Sequence, residues 1–293
     1  MSGTDLIPPD DSFIGYFART SGQHTSAHEV GFMCQAIAVM SVVFGPLVRF
    51  PWGKSPGYSH VWVMQVGESA QAKKSTLGAA SIDALGRMAA HGAPYVLHDI
   101  TRPSDAGIAE QLDQSVTDES GDVTVPTLPV GQFIYFDELT SLMGDGSGRN
   151  VAQSVHDARN LLVRIHGGTL SSSTKATSVP RQPVSVTMVG NIVVEQFENL
   201  MSTSANVTSG FLGRWVPVRI PKSDRSFHRP PVLDIDRHAA DERALDGWLA
   251  NLSTIARRQR DRRGRERVGH AANRKRRRRA APHLVRELRR ADR

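Results

Sequence analysis

The residues best suited to chemistry lie between an apolar run, residues 60–66 (HVWVMQV), and a helical pattern that begins at Thr76. This segment contains small residues, two lysines and several hydroxyls: Gly67, Glu68, Ser69, Ala70, Gln71, Ala72, Lys73, Lys74, Ser75 and Thr76. Small residues let main-chain amides approach phosphate groups, a lysine reaches the β- and γ-phosphates, and a hydroxyl holds Mg²⁺ at a helix N-terminus. The ten residues are therefore candidates for binding ATP, with Ser75 or Thr76 as the hydroxyl ligand of Mg²⁺.

Two departures weaken the match of this loop to the usual pattern G-x-x-x-x-G-K-[ST]. Ala72 stands where the second glycine is expected, and Lys74 lies one residue further from Gly67 than the pattern requires. An ordinary strand–turn–helix with two solvated lysines is the alternative interpretation of the loop taken alone.

Two later strand-like runs end in polar residues, in the order that an ATPase requires. The run 132–136 (QFIYF) is followed by Asp137 and Glu138, and the run 184–189 (VSVTMV) is followed by a Gly-Asn pair that ends at Asn191. Asp137 is a candidate ligand of Mg²⁺, and Glu138 is a candidate for polarising the attacking water. Asn191 is a candidate for contacting that water or the γ-phosphate. A plain strand end with a helix cap and a turn asparagine are the respective alternatives.

A fourth element, residues 209–215 (SGFLGRW), places Arg214 before a further strand-like run. An arginine in this place can act across a subunit interface and neutralise charge in the transition state of phosphoryl transfer. A surface or ion-paired arginine is the alternative. The predicted catalytic residues are accordingly Glu138, Asn191 and Arg214.

This succession of elements resembles a family of P-loop ATPases, of AAA+ or helicase-like type, from bacterial plasmids, phages and integrated elements. Members are often fused to or encoded beside primase–polymerase replication proteins. The family's loop often reads G-E-[ST]-A-x-G-[RK]-K-G-[ST], with the same one-residue displacement of the lysine. By this resemblance Lys74 contacts phosphate, and Thr76 falls at the Mg²⁺ hydroxyl position, with Ser75 as a competitor. Asp137 and Glu138 match the family's acidic pair.

The resemblance implies a motor that couples ATP hydrolysis to work on DNA, as a helicase or initiator in the replication of a mobile element. It also implies a homo-oligomer, with a hexameric ring as one form, and a primase–polymerase partner. The alternative is a degenerate or truncated nucleotide-binding module without productive hydrolysis, which the missing loop glycine at Ala72 favours. A P-loop kinase lacks support, because the sequence has no acceptor-binding signature.

Strand-like runs alternate with helical patterns over residues 60–222, which form the predicted ATPase core. This alternation predicts an α/β fold with a doubly wound, mostly parallel sheet of P-loop NTPase type. Residues 1–59 are predicted to be a weakly structured lead and a small helical region, with a helix over residues 25–44 capped by Ser26. A linker and a C-terminal helix are expected over residues 223–255.

The basic charge of the chain is concentrated in a tail, residues 256–293. From Arg257 to Arg293 there are 17 Lys and Arg against 4 Asp and Glu, a net +13, whereas the whole chain carries +7. The other 256 residues therefore carry a net −6, so overall charge does not argue that the predicted core binds DNA. Few large apolar residues accompany the arginines, so the tail is expected to be disordered or a lone exposed helix.

Three interpretations of this tail remain open. Its arginines can bind phosphate backbones without sequence preference, or the tail can be a solvated segment with incidental affinity for polyanions. An Arg-rich, Lys-poor composition is also what an out-of-frame reading of GC-rich DNA produces, so a frameshift or truncation is the third. No function is assigned to the tail, and its deletion from residue 256 is expected to leave ATP hydrolysis intact.

Cysteine use and hydropathy indicate the cellular location. Cys34 is the only cysteine, which excludes an intramolecular disulfide, and the N-terminal sequence lacks a signal-peptide pattern. Residues 30–50 are largely apolar, but their least interrupted part, residues 36–44, is shorter than the roughly 20 residues that span a bilayer. A buried helix in a cytoplasmic protein without a membrane role is therefore expected.

Overall fold

The computed structural model describes residues 11–23, 25–50, 57–68, 73–98, 104–143, 153–173, 178–202, 210–222 and 234–291. Side chains are described in these segments except at residues 141, 143 and 154 and beyond residue 264. The strands are β1 (Arg49–Phe50), β2 (Gly57–Tyr58), β3 (Trp62–Val66), β4 (Tyr95–His98), β5 (Val116–Thr117), β6 (Val123–Thr124), β7 (Gly131–Phe136), β8 (Thr169–Ser173), β9 (Ser178–Pro183), β10 (Ser185–Ile192) and β11 (Trp215–Arg219). The helices are α1 (Phe13–Gly22), α2 (Glu29–Phe44), α3 (Lys74–Ala90), α4 (Asp105–Leu112), α5 (Thr140–Met143), α6 (Gln153–His166), α7 (Val194–Ser202) and α8 (Ile235–Ala291), with short 3-10 turns at Gly45–Leu47 and Leu212–Arg214.

Five parallel strands form the central sheet, in the spatial order β11-β3-β10-β7-β4. The middle strand, β10, is buried along its whole length, as the apolar run in its sequence predicts. Met188 of β10 lies opposite Trp62 of β3 on one side and opposite Ile134 of β7 on the other. The carboxyl ends of these three strands therefore meet at one edge, and the predicted α/β class with a parallel sheet is confirmed.

Helices cover both faces of the sheet, which explains why its inner strands are buried on both sides. On one face, Val63 and Val189 belong to a core that they share with α1, α2, α3 and α8. On the other face, Met64 and Met188 belong to a core that they share with α4, α6 and α7. Neighbouring residues of a strand point to opposite faces, so each strand contributes to both cores. The remaining strands form three antiparallel pairs, β1–β2, β5–β6 and β8–β9.

The most apolar helix, α2, begins after His28, whose Nδ1 atom accepts a hydrogen bond from the main-chain N–H of Val30 at 3.2 Å. The cap predicted at Ser26 is wrong, because residues before Glu29 form a turn in which Thr25 Oγ1 accepts from the N–H of Ala27 at 3.0 Å. Among the described residues, one helix, residues 29–47, is long and apolar enough to cross a membrane, and 72% of its apolar 18-residue stretch is buried inside the protein. The predicted buried helix is confirmed, since α2 packs against α1, α3 and three strands of the sheet.

Helix α1 lies within the predicted weakly structured lead, so that prediction is wrong for residues 13–22. Ser12 caps the helix by accepting a hydrogen bond from the N–H of Gly15 at 3.1 Å. Phe13 and Phe17 are 5% and 0% exposed and pack in the core with α2. The apolar side chains of α1 therefore stabilise a segment whose sequence alone resembled a lead.

Helix α8 joins the predicted C-terminal helix and the predicted tail in one element. Ala256 is 1% exposed in the core, and the guanidinium of Arg260 donates to the carbonyl oxygens of Leu128 at 3.3 Å and Pro129 at 2.9 Å. Of the two forms expected for the tail, disorder or a lone helix, the structure has the helix, whose main chain continues to Ala291. The boundary predicted at residue 256 falls inside the packed part of the helix.

A truncation series tests where the packed part of α8 ends. Ending the chain after Ile255 removes Ala256 and both hydrogen bonds of Arg260, so we expect the midpoint of thermal unfolding to fall by about 5 °C or more. Ending the chain after Gly264 keeps these contacts and should leave the midpoint within about 1 °C of the full chain. Equal midpoints for the two truncations would contradict the packing of residues 256–260. The deletion that spares the core therefore begins after residue 264, not at residue 256.

Candidate functional site

A cavity of about 740 Å³ opens at the carboxyl edge of the sheet, a volume typical of ligand pockets. Its wall contains eight residues of the predicted site, Glu68, Lys73, Lys74, Ser75, Thr76, Asp137, Glu138 and Asn191, together with Ile192, Val193, Val194, Glu195 and Gln196. Gly67 follows β3, and its N–H donates to the carbonyl oxygen of Ile192 at 3.1 Å. The predicted loop residues Ser69, Ala70, Gln71 and Ala72 lie outside the described residues. The parallel register thus brings three separate sequence elements to one cavity.

Lys74 is the first residue of α3, and its ammonium group reaches the ends of two strands. Nζ donates to the main-chain carbonyl oxygens of Gly67 at 3.2 Å and of Ile192 at 3.0 Å. Burial lowers the pKa of Lys74, and the negative charges of Asp137 and Glu138 oppose that shift. An ammonium group has three donors, so two carbonyl contacts leave one donor for a phosphate oxygen.

Lys73 precedes α3 with φ 48° and ψ 40°, in the left-handed region of backbone conformation. It is the one residue other than glycine that has a positive φ in the described part of the chain. This conformation costs an L-residue about 1–2 kcal/mol, and the usual pattern places a glycine directly before its lysine. In the described segments no side-chain cap hydrogen bond is found for α3. The first main-chain N–H groups of a helix have no partner within the helix and can bind an anion.

Ser75 and Asp137 form the pair best placed to hold a metal ion. Ser75 Oγ donates to Asp137 Oδ1 at 2.8 Å, and both residues are exposed in the cavity wall. Thr76 also lines the cavity, but it is Ser75 that contacts the acid, so Ser75 has the better geometry for the hydroxyl ligand. The described residues contain no group of three or more His, Cys, Asp or Glu that could hold a metal. Mg²⁺ bound by one carboxylate and one hydroxyl does not need such a group, because it takes further ligands from water and phosphate.

Glu138 and Asn191 lie in the same cavity wall. Glu138 is exposed, and its Oε1 atom accepts a hydrogen bond from Thr140 Oγ1 at 2.7 Å. Asn191 is 1% exposed, and its Nδ2 atom donates to the hydroxyl of Tyr135 at 2.6 Å and to Asp137 Oδ1 at 3.4 Å. The Oδ1 atom of Asn191 is buried and has no hydrogen-bond partner within the described part of the chain. Asp137 and the amide at the end of β10 therefore belong to one network, and Glu138 lies beside them in the cavity wall.

Sequence reasoning missed Tyr135, whose hydroxyl lies 3.1 Å from the Lys74 carbonyl oxygen and 3.4 Å from Asp137 Oδ1. The signal was present, because side chains two residues apart on a strand lie on one face, and Asp137 follows Tyr135 by two. Burial raises the pKa of Tyr135 far above its usual value, so the hydroxyl keeps its proton. The carbonyl oxygen of Ile192 was also missed, since a main-chain acceptor leaves no mark in the sequence.

Arg214 lies at the amino ends of the parallel strands, whereas the cavity lies at their carboxyl ends. It directly precedes β11, whose first residue, Trp215, pairs with Trp62 at the start of β3. The guanidinium donates to the carbonyl oxygen of Gly210, and its buried Nε atom has no partner among the residues described. The length of β3 separates Arg214 from Gly67, so Arg214 does not reach the cavity of its own chain.

Two histidines occupy the same edge of the sheet as Arg214. The ring of His166 lies edge-on to Trp62 and His60, with centroid separations of 4.8 Å and 5.0 Å. His60 Nε2 donates to the carbonyl oxygen of His166 at 3.1 Å. Burial lowers the pKa of both histidines to about 4, and the charge of Arg214 adds to the shift at His166.

Neither a scan of protein-family models nor a search of curated proteins finds a match to this chain. Lys74, Ser75, Asp137, Glu138 and Asn191 converge on the cavity, whereas Arg214 lies outside it.

Replacing Lys73 with glycine should stabilise the protein, because glycine adopts the left-handed conformation without strain. We expect Lys73→Gly to be more stable than Lys73→Ala by about 1 kcal/mol in urea unfolding. The alanine variant is the control for the loss of the lysine side chain. A glycine variant that is no more stable than the alanine variant would contradict the strain assigned to residue 73.

Because the pKa values of His60 and His166 are lowered, we predict that the protein loses stability in mild acid. Their pKa is about 4 in the folded protein and 6.5 without burial, so the unfolded chain binds more protons between these values. Stability is therefore full above pH 6.5 and falls as the pH drops toward 4, by up to about 3 kcal/mol for the almost fully buried His60. Unfolding midpoints measured at several pH values should fall less steeply in His60→Gln than in the wild type. His156→Gln, at an exposed position of α6, is the control. If the unfolding midpoint of His60→Gln fell with pH as steeply as that of the wild type, His60 would not be the source of the acid sensitivity.

Proposed function

We propose that this protein is a P-loop ATPase, which binds ATP with Mg²⁺ at the N-terminus of α3 and transfers the γ-phosphoryl group to water. One observation carries the proposal, the convergence of five side chains from three segments on one cavity: Lys74, Ser75, Asp137, Glu138 and Asn191. The lysine and hydroxyl follow β3, the acids follow β7, and the amide ends β10. These residue types serve the phosphates, the metal ion and the attacking water of a P-loop ATPase.

The residues in the cavity fit a nucleoside triphosphate with Mg²⁺. The half-buried ammonium group of Lys74 and the first N–H groups of α3 offer donors to phosphate oxygens. Ser75 Oγ and Asp137 Oδ1, 2.8 Å apart, are oxygen atoms of the kind that Mg²⁺ prefers. Bound ATP with Mg²⁺ supplies the phosphoryl group that is transferred.

Other residues of the cavity have the chemistry to act on the attacking water. The exposed carboxylate of Glu138 accepts a proton from a water molecule in the cavity. Asn191 is the candidate for contacting that water or the γ-phosphate. Lys74 stabilises negative charge that develops on phosphoryl oxygens, and burial strengthens this interaction because less solvent screens the charge.

The proposed fold type is that of a P-loop NTPase. The strand that leads into the loop, β3, lies next to β10, and the strand that leads into the acids, β7, lies on the other side of β10. A loop after a strand that opens into a helix is a common phosphate site, because the helix N-terminus presents N–H groups and positive dipole. The strand order therefore supports a nucleotide at this edge of the sheet.

The proposed cellular role is ATP-driven work on DNA, as a helicase-like or initiator motor in the replication of a mobile element. Its support is the resemblance of the loop, the acidic pair, the Gly-Asn strand end and the Arg214 segment to the mobile-element ATPases named above. In this role the protein acts in the cytoplasm as a homo-oligomer, with a hexameric ring as one form. DNA and a primase–polymerase protein are its proposed partners, and Arg214 serves the cavity of a neighbouring subunit.

A catalytically degenerate nucleotide-binding module is the second candidate. Two observations favour it: Lys73, directly before the candidate phosphate lysine, has a strained left-handed backbone, and Lys74 Nζ already donates to two carbonyl oxygens. Such a module binds ATP without turnover. Binding and hydrolysis must therefore be measured separately.

Substitution of Lys74 and Glu138 tests the proposal. We expect Lys74→Ala to lower ATP hydrolysis at least about 100-fold, since it removes the half-buried positive charge at the phosphate site. We expect Glu138→Gln to lower hydrolysis by about the same factor while ATP binding is retained, because the change removes a proton acceptor but keeps the shape. Phosphate release and the binding of a fluorescent ATP analogue are the two measurements.

Exposed residues outside the cavity supply matched controls, Lys222→Ala for the lysine and Glu198→Gln for the acid. Each assay is run without DNA, with single-stranded DNA and with double-stranded DNA, and the proposed DNA role predicts stimulation by at least one of them. Hydrolysis that survives both Lys74→Ala and Glu138→Gln would refute the ATPase proposal. ATP binding without turnover in the wild type would support the degenerate module instead.

A further inference from the structure

The hydroxyl of Tyr135 lies among three groups that the proposed ATPase uses. It is 3.1 Å from the main-chain carbonyl oxygen of Lys74, 2.6 Å from Asn191 Nδ2 and 3.4 Å from Asp137 Oδ1. These groups come from α3, from the end of β10 and from the end of β7. One hydroxyl therefore connects all three segments of the site.

The chemistry of these partners decides the direction of each hydrogen bond. The Lys74 carbonyl oxygen and the Asp137 carboxylate oxygen can only accept, so the single proton of the Tyr135 hydroxyl goes to one of them. Toward Asn191 the tyrosine oxygen is then an acceptor and must face the amide nitrogen. The orientation of the Asn191 amide follows from this requirement, whereas the shape of the amide alone would leave it undetermined.

This orientation leaves the Asn191 oxygen as the free end of the side chain. Nδ2 also donates to Asp137 Oδ1 at 3.4 Å, so both amide protons are directed into the network. Oδ1 is buried and has no partner among the described residues, although buried polar atoms rarely go unpaired. Oδ1 can only accept, and phosphate oxygens of ATP are acceptors too. Its partner must therefore be a donor, and water is the donor that the proposed reaction requires.

Packing holds the tyrosine ring in this place. A Cβ atom at Gly78 of α3 would overlap the ring of Tyr135, so the glycine provides the space that the ring fills. The main chain of Asn191 is held as well, because its main-chain carbonyl oxygen accepts a hydrogen bond from the N–H of Leu139 at 2.8 Å. The ring of Tyr135 and the main chain of Asn191 are thus in place before any ligand binds, as preorganised catalytic groups are.

We propose that Tyr135 is a positioning residue, which fixes the Asn191 amide so that its Oδ1 atom accepts a hydrogen bond from the water that attacks ATP. This inference rests on the proposed ATPase function and adds to it. In this inference Asn191 contacts the attacking water rather than the γ-phosphate. The hydroxyl of Tyr135 sets the amide orientation that makes this contact possible. Tyr135 itself touches neither nucleotide nor water in this role.

The variant Tyr135→Phe removes the hydroxyl and keeps the ring in the space above Gly78. We expect kcat for ATP hydrolysis to fall about tenfold, because the amide is free to turn and misplace the water. KM and the affinity for a fluorescent ATP analogue should stay within about twofold, since no phosphate contact is lost. Tyr95→Phe, on the edge strand β4, is the control and should leave kcat unchanged. A Tyr135→Phe variant with wild-type kcat, or one whose loss lies in KM, would overturn the proposal.

A double-mutant cycle separates action through Asn191 from a general structural role. If Tyr135 works through the amide, Tyr135→Phe should lower kcat by less than about twofold once Asn191 is alanine. A further tenfold loss in the Asn191→Ala background would mean that the two residues act independently. That result would overturn the positioning role even though the protein is an ATPase.

Stability measured without nucleotide distinguishes failure of this inference from failure of the proposed function. In urea unfolding, the shift of the double variant should be smaller than the two single shifts together, because both single changes break the same hydrogen bond. Additive shifts would overturn the pairing whatever the ATPase assays give. A coupled pair in a wild type that does not hydrolyse ATP would instead refute the ATPase function, and with it the water role of Asn191.

Discussion

Two donors meet at the main-chain carbonyl oxygen of Ile192, the N–H of Gly67 at 3.1 Å and the ammonium group of Lys74 at 3.0 Å. Ile192 ends β10, Gly67 begins the loop after β3, and Lys74 begins α3. One acceptor therefore fixes the start and the end of the loop relative to the middle strand of the sheet. This contact sets where the ammonium group lies, and the lysine must lie there for the acids of the neighbouring strand to face it. The rest of the site depends on that placement.

The position of β10 in turn depends on close packing at its carboxyl end. A Cβ atom at Gly190 would lie 2.7 Å from a methyl carbon of Leu139, so only glycine allows that side chain to pack against the strand. Leu139 follows the acidic pair directly, and its N–H donates to the carbonyl oxygen of Asn191 at 2.8 Å. Glycine is therefore required at position 190 by the packing of Leu139. It lets the acidic segment and the end of β10 approach each other, which brings the amide within reach of Asp137.

Periodicity and strand ends were enough to predict the sheet and most of the residues that line the cavity, because apolar runs and the polar residues after them are local features. The sequence did not decide between Ser75 and Thr76. That choice depends on which hydroxyl contacts Asp137, and Ser75 and Asp137 are 62 positions apart in the sequence. Tyr135 was missed because a tyrosine in an apolar strand-like run suggests a core residue, although its place two residues before Asp137 puts both side chains on one face. The tail was predicted to be separate from the C-terminal helix because the composition changes near residue 256. The packed part of the helix extends beyond this residue, because Arg260 donates a hydrogen bond to the carbonyl oxygen of Pro129.

The location of Arg214 limits how it can take part in ATP hydrolysis. It precedes β11 at the amino edge of the sheet, and the five residues of β3 span about 16 Å between that edge and the cavity. An arginine side chain does not bridge this distance within one chain, so any role for Arg214 in the proposed reaction requires a second subunit. Cavity and arginine lie at opposite edges of the same sheet, and head-to-tail contact between subunits is the simplest way to bring two such surfaces together. Repetition of that contact closes into a ring or continues as a filament, depending on the rotation between subunits. A catalytic Arg214 would therefore imply an oligomer in which each subunit completes the site of its neighbour.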